Sequence, residues 1–239
     1  MNKIIFGLVF ISLGNLITAA ELTKEQLWAI ALTGIMTERN KSNYDTLNSS
    51  PMDERNKNIW LETLRRDWGI NNRDELLETL DKMEHDGHAS SLKFIQKIIM
   101  ETIEEKGNFS IITIYNKYQL NSRQYNYLKF TILNWNIFNN RDILVWDLGR
   151  NIALCRWGYD VGFLTEEEAL EKIMYYAKLI QPLYNSWEEY GYDYYMGRVF
   201  WASGFGEDVA YLLETYQIYQ KLIGENGYWR NLEWNIDLK

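Results

Sequence analysis

Apolar residues along the chain recur mainly at spacings of three and four, the period of an amphipathic helix, and polar punctuation separates the runs. Thr23-Lys-Glu-Gln26 reads as a capping box ahead of LWAIALTGIM. Ser50-Pro51-Met-Asp53 places an N-cap, a first-turn proline and an acid at the third position, and the helix it opens runs to Asp67. Asn72-Arg-Asp-Glu75 opens LLETLDKMEH, which Gly87 closes; Ser90 opens the next helix, which Gly107 ends. Thr165-Glu-Glu-Glu168 caps a segment that stops near Pro182, and Ser186-Trp-Glu-Glu189 caps another. At each start a side-chain oxygen accepts from a backbone N–H that has no partner within the helix, and first-turn acids suit the positive end of the dipole. Only FSIITIY, Phe109 to Tyr115, has strand character, and it fits a helical turn equally well. The pattern predicts an all-α fold: one domain over residues 21–239, of about eight to ten helices, with at most one minor β element.

One predicted helix stands apart. From Arg141 to Trp157, apolar residues point all round the wheel, which suits a central, buried position. Yet Asp147, Arg150 and Asn151 fall on one flank, at i, i+3 and i+4. Charges in such a place must be paired and hydrogen-bonded.

The first twenty residues differ from the rest. Lys3 precedes the mostly apolar run Ile4 to Ile17, and Thr18, Ala19 and Ala20 offer small residues before Glu21. That is the layout of a secretory signal peptide, with an apolar run too short for an ordinary membrane span. A mature protein beginning near Glu21, periplasmic or secreted and without a stable membrane anchor, is the expectation; an uncleaved anchor is the other reading. The chain of 239 residues carries a net charge of −8, which disfavours nucleic acid and anionic lipid as partners, although a local basic groove remains compatible with it. Cys155 is the only cysteine, so neither an internal disulfide nor a cysteine-rich zinc site is available, and its apolar surroundings point to a buried structural thiol.

Three stretches resemble a known bacterial family: WDLGRNIALCRWGYDVGFLTEEEAL from Trp146, SWEEYGYDYYMGRVFW from Ser186, and WGINNRDELLETLDKMEHDGH from Trp68. The segment Trp28 to Asn40 is similar to the same family's opening helix. The family is the one catalogued as domain of unknown function 1266, and the likeness spans roughly residues 28–201. It implies a mainly helical domain and no particular reaction.

Four constellations carry candidate chemistry. The polar set Asp147, Arg150 and Asn151, joined by Arg156, Asp160 and Arg198, reads either as a clamp or acid–base site for an anionic substrate, or as a buried network that fixes helix packing. His85-Asp-Gly-His88 is a weak metal candidate, because Gly87 interrupts the helix between the two histidines. Glu166, Glu167 and Glu168 read as a helix start. The aromatic belt that includes Trp187, Tyr190, Tyr194 and Trp201 divides between core packing and ligand recognition. No nucleophile elbow, phosphate-binding glycine loop or H-E-x-x-H motif is present, and no cofactor is implied. The first functional expectation is therefore a non-enzymatic binding or interaction domain of the cell envelope, with a protein, peptide or small molecule as ligand. The alternative is a hydrolase or transferase using the Asp/Arg set on an anionic or sugar substrate. An open cleft reaching Arg150 and Asp160 would favour the enzyme; a dry, fully paired network would favour the binder.

Overall fold

Where capping chemistry and apolar periodicity agree, the expected helices form. A computed structural model describes residues 21–107, 110–205 and 209–238. Among these residues there are twelve α-helices and no strand. They are α1 (Lys24–Ala31), α2 (Gly34–Asn40), α3 (Glu54–Thr63), α4 (Arg73–Asp86), α5 (His88–Lys106), α6 (Ile111–Tyr118), α7 (Ser122–Leu133), α8 (Trp135–Phe138), α9 (Leu144–Val161), α10 (Glu166–Ile180), α11 (Trp187–Ser203) and α12 (Val209–Ile223). The expected export segment, residues 1–20, lies outside the described residues.

Thr23 and Thr165 form complete capping boxes with Gln26 and Glu168, and Asn72 and Ser186 cap α4 and α11. Two starts shift. Asp53, not Ser50, caps α3 by accepting from Asn56 N–H at 2.8 Å, and Ser50 Oγ instead accepts from the Trp60 indole. The helix expected from Ser90 begins at His88. The stretch that fitted strand or helix takes its helical alternative where it is described: Phe109 lies outside the described residues, and Ile111–Tyr118 is helical, capped by Ser110. Ile111, Ile114 and Tyr118 share one face at helical spacing, and Ile114 is fully buried.

Helix α9 is the axis of the fold. It packs against α3, α4, α5, α10 and α11, and every residue in it except Leu144 and Tyr159 is buried. Its contact with α11 is close because Gly197 faces Trp146; a Cβ at position 197 would fall 2.2 Å from the Trp146 Cβ. A second apolar cluster, including Leu92, Ile99, Leu128 and Phe138, joins α5 to α6, α7 and α8.

The C-terminal segment closes the main core. Trp229 and Trp234 pack among Trp28, Trp187 and Tyr190. The four indole N–H groups all donate to backbone carbonyls: Trp28 to Glu233, Trp187 to Leu232, Trp229 to Ala31 and Trp234 to Tyr184, at 2.8–3.0 Å. Each ring thus buries a large apolar area without leaving its one donor unpaired. Much of the aromatic wealth is this lock between the two ends of the domain. Trp187 and Tyr190 belong to it, at 4% and 0% exposure, and so cannot recognise a ligand at the surface.

Candidate functional site

Six polar residues expected to work together separate into two places along α9 and one on α11. At the first place, Asp147 has no exposed surface. Its Oδ2 accepts from Ala89 N–H at 2.8 Å, and its Oδ1 accepts from Arg150 Nη2 at 2.6 Å and lies 3.2 Å from His88 Nδ1. Helix α5 has no capping side chain of its own, so Asp147 caps it from another helix. Gly87 makes the approach possible, since a Cβ there would sit 2.5 Å from the Asp147 Cγ. Burial works against the Asp147 charge, but the His88 bond, the Arg150 charge and the Ala89 N–H outweigh it and hold the carboxyl below its ordinary range. With two donors, His88 beside it and no exposed surface, Asp147 positions other groups and cannot itself reach a substrate.

Asn151 Nδ2 donates to the Leu80 carbonyl at 2.9 Å and pins α9 to α4. At the second place, Arg156 donates to the carbonyls of Leu47, Asn43 and Thr46 and to the hydroxyls of Thr33 and Thr37. Asp160 accepts from Ser49 N–H through both oxygens, at 3.1 and 3.0 Å. Together they hold the 43–49 loop against the domain. Burial lowers the Arg156 pKa to about 10 and raises that of Asp160 to about 6.

A cleft of about 1210 Å³ opens over the first place and not the second. Among the described residues, Arg39, Lys41, Lys82, Arg123, Arg150 and Arg198 line it, with the Arg66–Asp67 ion pair and one further acid, Glu214. In a chain of net charge −8 this is a local reversal of sign. Trp60, Trp68, Trp146, Trp157, Tyr194 and Trp201 form much of its wall. Helix α3 continues as a π-helical turn, Leu64–Trp68, which brings Trp68 to this wall.

The aromatic faces are largely taken. The Arg150 guanidinium lies 4.4 Å from the Trp146 ring centroid and 5.5 Å from that of Trp68. Arg198 covers Trp201 at 4.2 Å and Arg123 covers Phe205 at 4.2 Å, while Trp60 and Trp157 stack on one another. The indoles therefore hold the arginines in place through cation–π contact rather than presenting open faces to a sugar or a base. Arg150 is further fixed through Nε to the Trp146 carbonyl, at 3.1 Å, and Nη2 lies 2.9 Å from His88 Nδ1. Its Nη1 makes no hydrogen bond among the described residues. Two buried donors on the wall, Trp146 Nε1 and the Tyr194 hydroxyl, likewise have no partner among them.

The remaining expectations resolve locally. His85 and His88 point to different neighbours: His85 Nδ1 lies 3.0 Å from the Asp81 carbonyl, and His88 joins Asp147 and Arg150. No group of three or more metal-type ligands occurs among the described residues. Glu166, Glu167 and Glu168 occupy the first turn of α10, and Glu168 pairs with Arg73 at 2.7 Å. That bond and the Thr165 N–H lower its pKa to about 2. Cys155 is buried, which raises its thiol pKa to about 12. His88 and Trp68 were missed as partners of Arg150, because the contacts are long-range and no local spacing signals them.

Comparison with known proteins adds no chemistry. The family model described as "Protein of unknown function (DUF1266)" matches residues 63–234, farther towards the C-terminus than the motifs suggest and without the opening helices. Two Escherichia coli (strain K12) proteins are similar. The "Uncharacterized protein YbeU" is 31% identical over 66% of this chain and 64% of its own length. The "Uncharacterized protein YbeR" is 26% identical over 72% of this chain and 75% of its own length. The chain thus spans less than two thirds of the first of these. No solved structure matches it. Among the described residues no helix is long and apolar enough to cross a membrane.

Proposed function

The chain belongs to the DUF1266 family of unknown function, and on that premise, which brings no reaction with it, we propose that the domain is a binding module that takes an anionic small molecule into the cleft above Arg150. One observation carries this reading: cations from α2, α4, α7, α9 and α11 gather around one cleft in an otherwise acidic protein. Preoriented guanidinium groups, stiffened by aromatic rings, lose little entropy on gripping an anion. The expected site set is thereby narrowed: Arg150 and Arg198 face the ligand, Trp201 supports Arg198, the buried Tyr194 backs the wall, and Arg156 and Asp160 serve the loop. Export to the cell envelope belongs to the same proposal and rests on Lys3, the apolar run and Ala19-Ala20.

Titration calorimetry of the protein with inorganic pyrophosphate and citrate tests the reading. Binding should weaken with salt and fall at least about tenfold in the Lys82→Glu/Arg123→Glu variant, whose substituted side chains are exposed. No binding of either anion at low salt, or equal binding by the variant, would overturn it.

The catalytic alternative retains one supporting observation. His88, oriented through Nδ1, lines the same cleft. Turnover of a phosphate or carboxylate ester that disappears in His88→Gln would move the site to that class.

A further inference from the structure

Among the described residues, His88 is the one imidazole that lines the cleft. Its Nδ1 lies 3.2 Å from the Asp147 carboxylate and 2.9 Å from Arg150 Nη2, so that edge of the ring faces an acceptor and a donor together. The other edge, Nε2, makes no hydrogen bond among the described residues, and the side chain keeps 21% exposure at the cleft. In the neutral ring Nδ1 can accept from Arg150. A proton on Nδ1 turns that bond towards Asp147 and leaves Nε2–H as a charged donor on the cleft side.

The other charged and titratable groups near the ring come from each neighbouring helix. Helix α7 supplies Arg123 and the Tyr127 phenol, α9 supplies Asp147 and Arg150, α4 supplies Lys82, and α11 supplies Arg198 and the Tyr194 phenol. Among the described residues the acid beside the ring is Asp147, and Asp67 and Glu214 line the same cleft. Burial of the imidazole, then the positive charges of Arg150 and Arg123, disfavour its cation, and its pKa lies below the usual value. An anion seated among these cations would reverse their effect on His88.

The shape of the donor set also restricts the ligand. Arg150 has spent Nε on the Trp146 carbonyl and Nη2 on Asp147, so the side-on edge that grips a planar carboxylate is occupied in either protonation state of His88. With that edge taken, cations set around the cleft on several helices suit a tetrahedral oxyanion.

Deepening the anion-binding reading, on which it rests, we propose that the ligand group is a phosphate- or sulfate-type dianion and that His88 binds it as a cation, so that one proton is taken up with each anion.

Sulfate is the probe, because it remains a dianion throughout and any pH dependence then belongs to the protein. Its affinity, measured by calorimetry between about pH 5.5 and about pH 8, should rise by up to about tenfold for each unit the pH falls. The chain has only two histidines, so an NMR titration of the imidazoles reads the same event directly. Saturating sulfate should raise the His88 pKa and leave that of His85, on the exposed end of α4, unchanged. His88→Gln, with a carboxamide donor in place of the ring, should bind sulfate with a flat pH profile. Glycerol phosphate and inorganic phosphate then compete against sulfate: stronger displacement by the ester points to a phosphorylated metabolite, stronger displacement by the free ion to phosphate itself, and displacement by neither counts against the ligand class. Sulfate binding that is independent of pH, with an unmoved His88 resonance, overturns the proton coupling and leaves the anion cleft standing. Failure of sulfate, pyrophosphate and citrate to bind at any pH removes the cleft reading as well.

Discussion

Removing the Asp147 carboxylate should damage the fold more than removing the guanidinium it pairs with. In Asp147→Ala, Ala89 N–H loses its acceptor at the start of α5, and Arg150 loses a 2.6 Å charge-assisted bond. Breaking a buried pair in this way costs about 3–5 kcal/mol, which corresponds to roughly 6–20 °C in Tm for a domain of this size. Arg150→Ala is different. Asp147 keeps Ala89 N–H and His88, and His88 can take a proton to replace the lost charge. That single substitution should cost about 1–3 kcal/mol. Added to Asp147→Ala it should cost less than it does alone, with a coupling of about 0.5–3 kcal/mol. Thermal and urea denaturation of the two single variants and the double variant measure all three quantities. If Asp147→Ala melts within about 2 °C of the parent protein, the α5 cap is not a stabilising element and the positioning role assigned to Asp147 is wrong.

Two further outcomes follow from neighbouring contacts. Asp160, 5% exposed, titrates at about 6 in the folded protein against an ordinary value of 3.8, so the folded state holds its proton more tightly than the unfolded chain does. Its contribution to stability is therefore present below the ordinary value and is lost as pH rises to about 6. Between pH 4 and pH 6.5 the loss is about 2 kcal/mol, and Asp160→Asn should abolish it in urea denaturation compared at those two values, whereas parallel pH curves for the two proteins would contradict it. Gly87→Ala should destabilise by about 1–3 kcal/mol, because its Cβ would fall 2.4 Å from the Met83 carbonyl and 2.5 Å from Asp147 Cγ; an unchanged urea midpoint would refute the close approach.

The helix starts at Thr23, Asn72, Thr165 and Ser186 were legible because capping is local: donor and acceptor lie three residues apart. The burial of α9 was legible from apolar residues on all sides of one helical wheel. Of the two shifted starts, one follows a competing local choice, Asp53 in place of Ser50, and the other a distant one, since Asp147 caps α5 from 58 residues away. Sequence distance also hid the division of the polar set. Asp147 and Arg156 look alike on paper, yet one reaches α5 and the other the 43–47 loop. The aromatic belt could not be sorted between core and surface because Trp187 and Tyr190 are buried by Trp229 and Trp234, in a tail with no motif of its own. The basic cleft was hardest to foresee, since Arg39, Lys82, Arg123, Arg150 and Arg198 are scattered over the chain and only the packing of α2, α4, α7, α9 and α11 assembles them.

Crystals of the protein soaked in tungstate, a tetrahedral dianion with strong anomalous scattering, test the anion cleft most directly. An anomalous peak is expected inside the cleft, within hydrogen-bonding distance of Arg150 Nη1 and on the side of the His88 ring away from Asp147. Tungstate sites confined to the outer surface, with the cleft empty of anomalous density at low salt, would contradict the assignment of this cleft as the binding site.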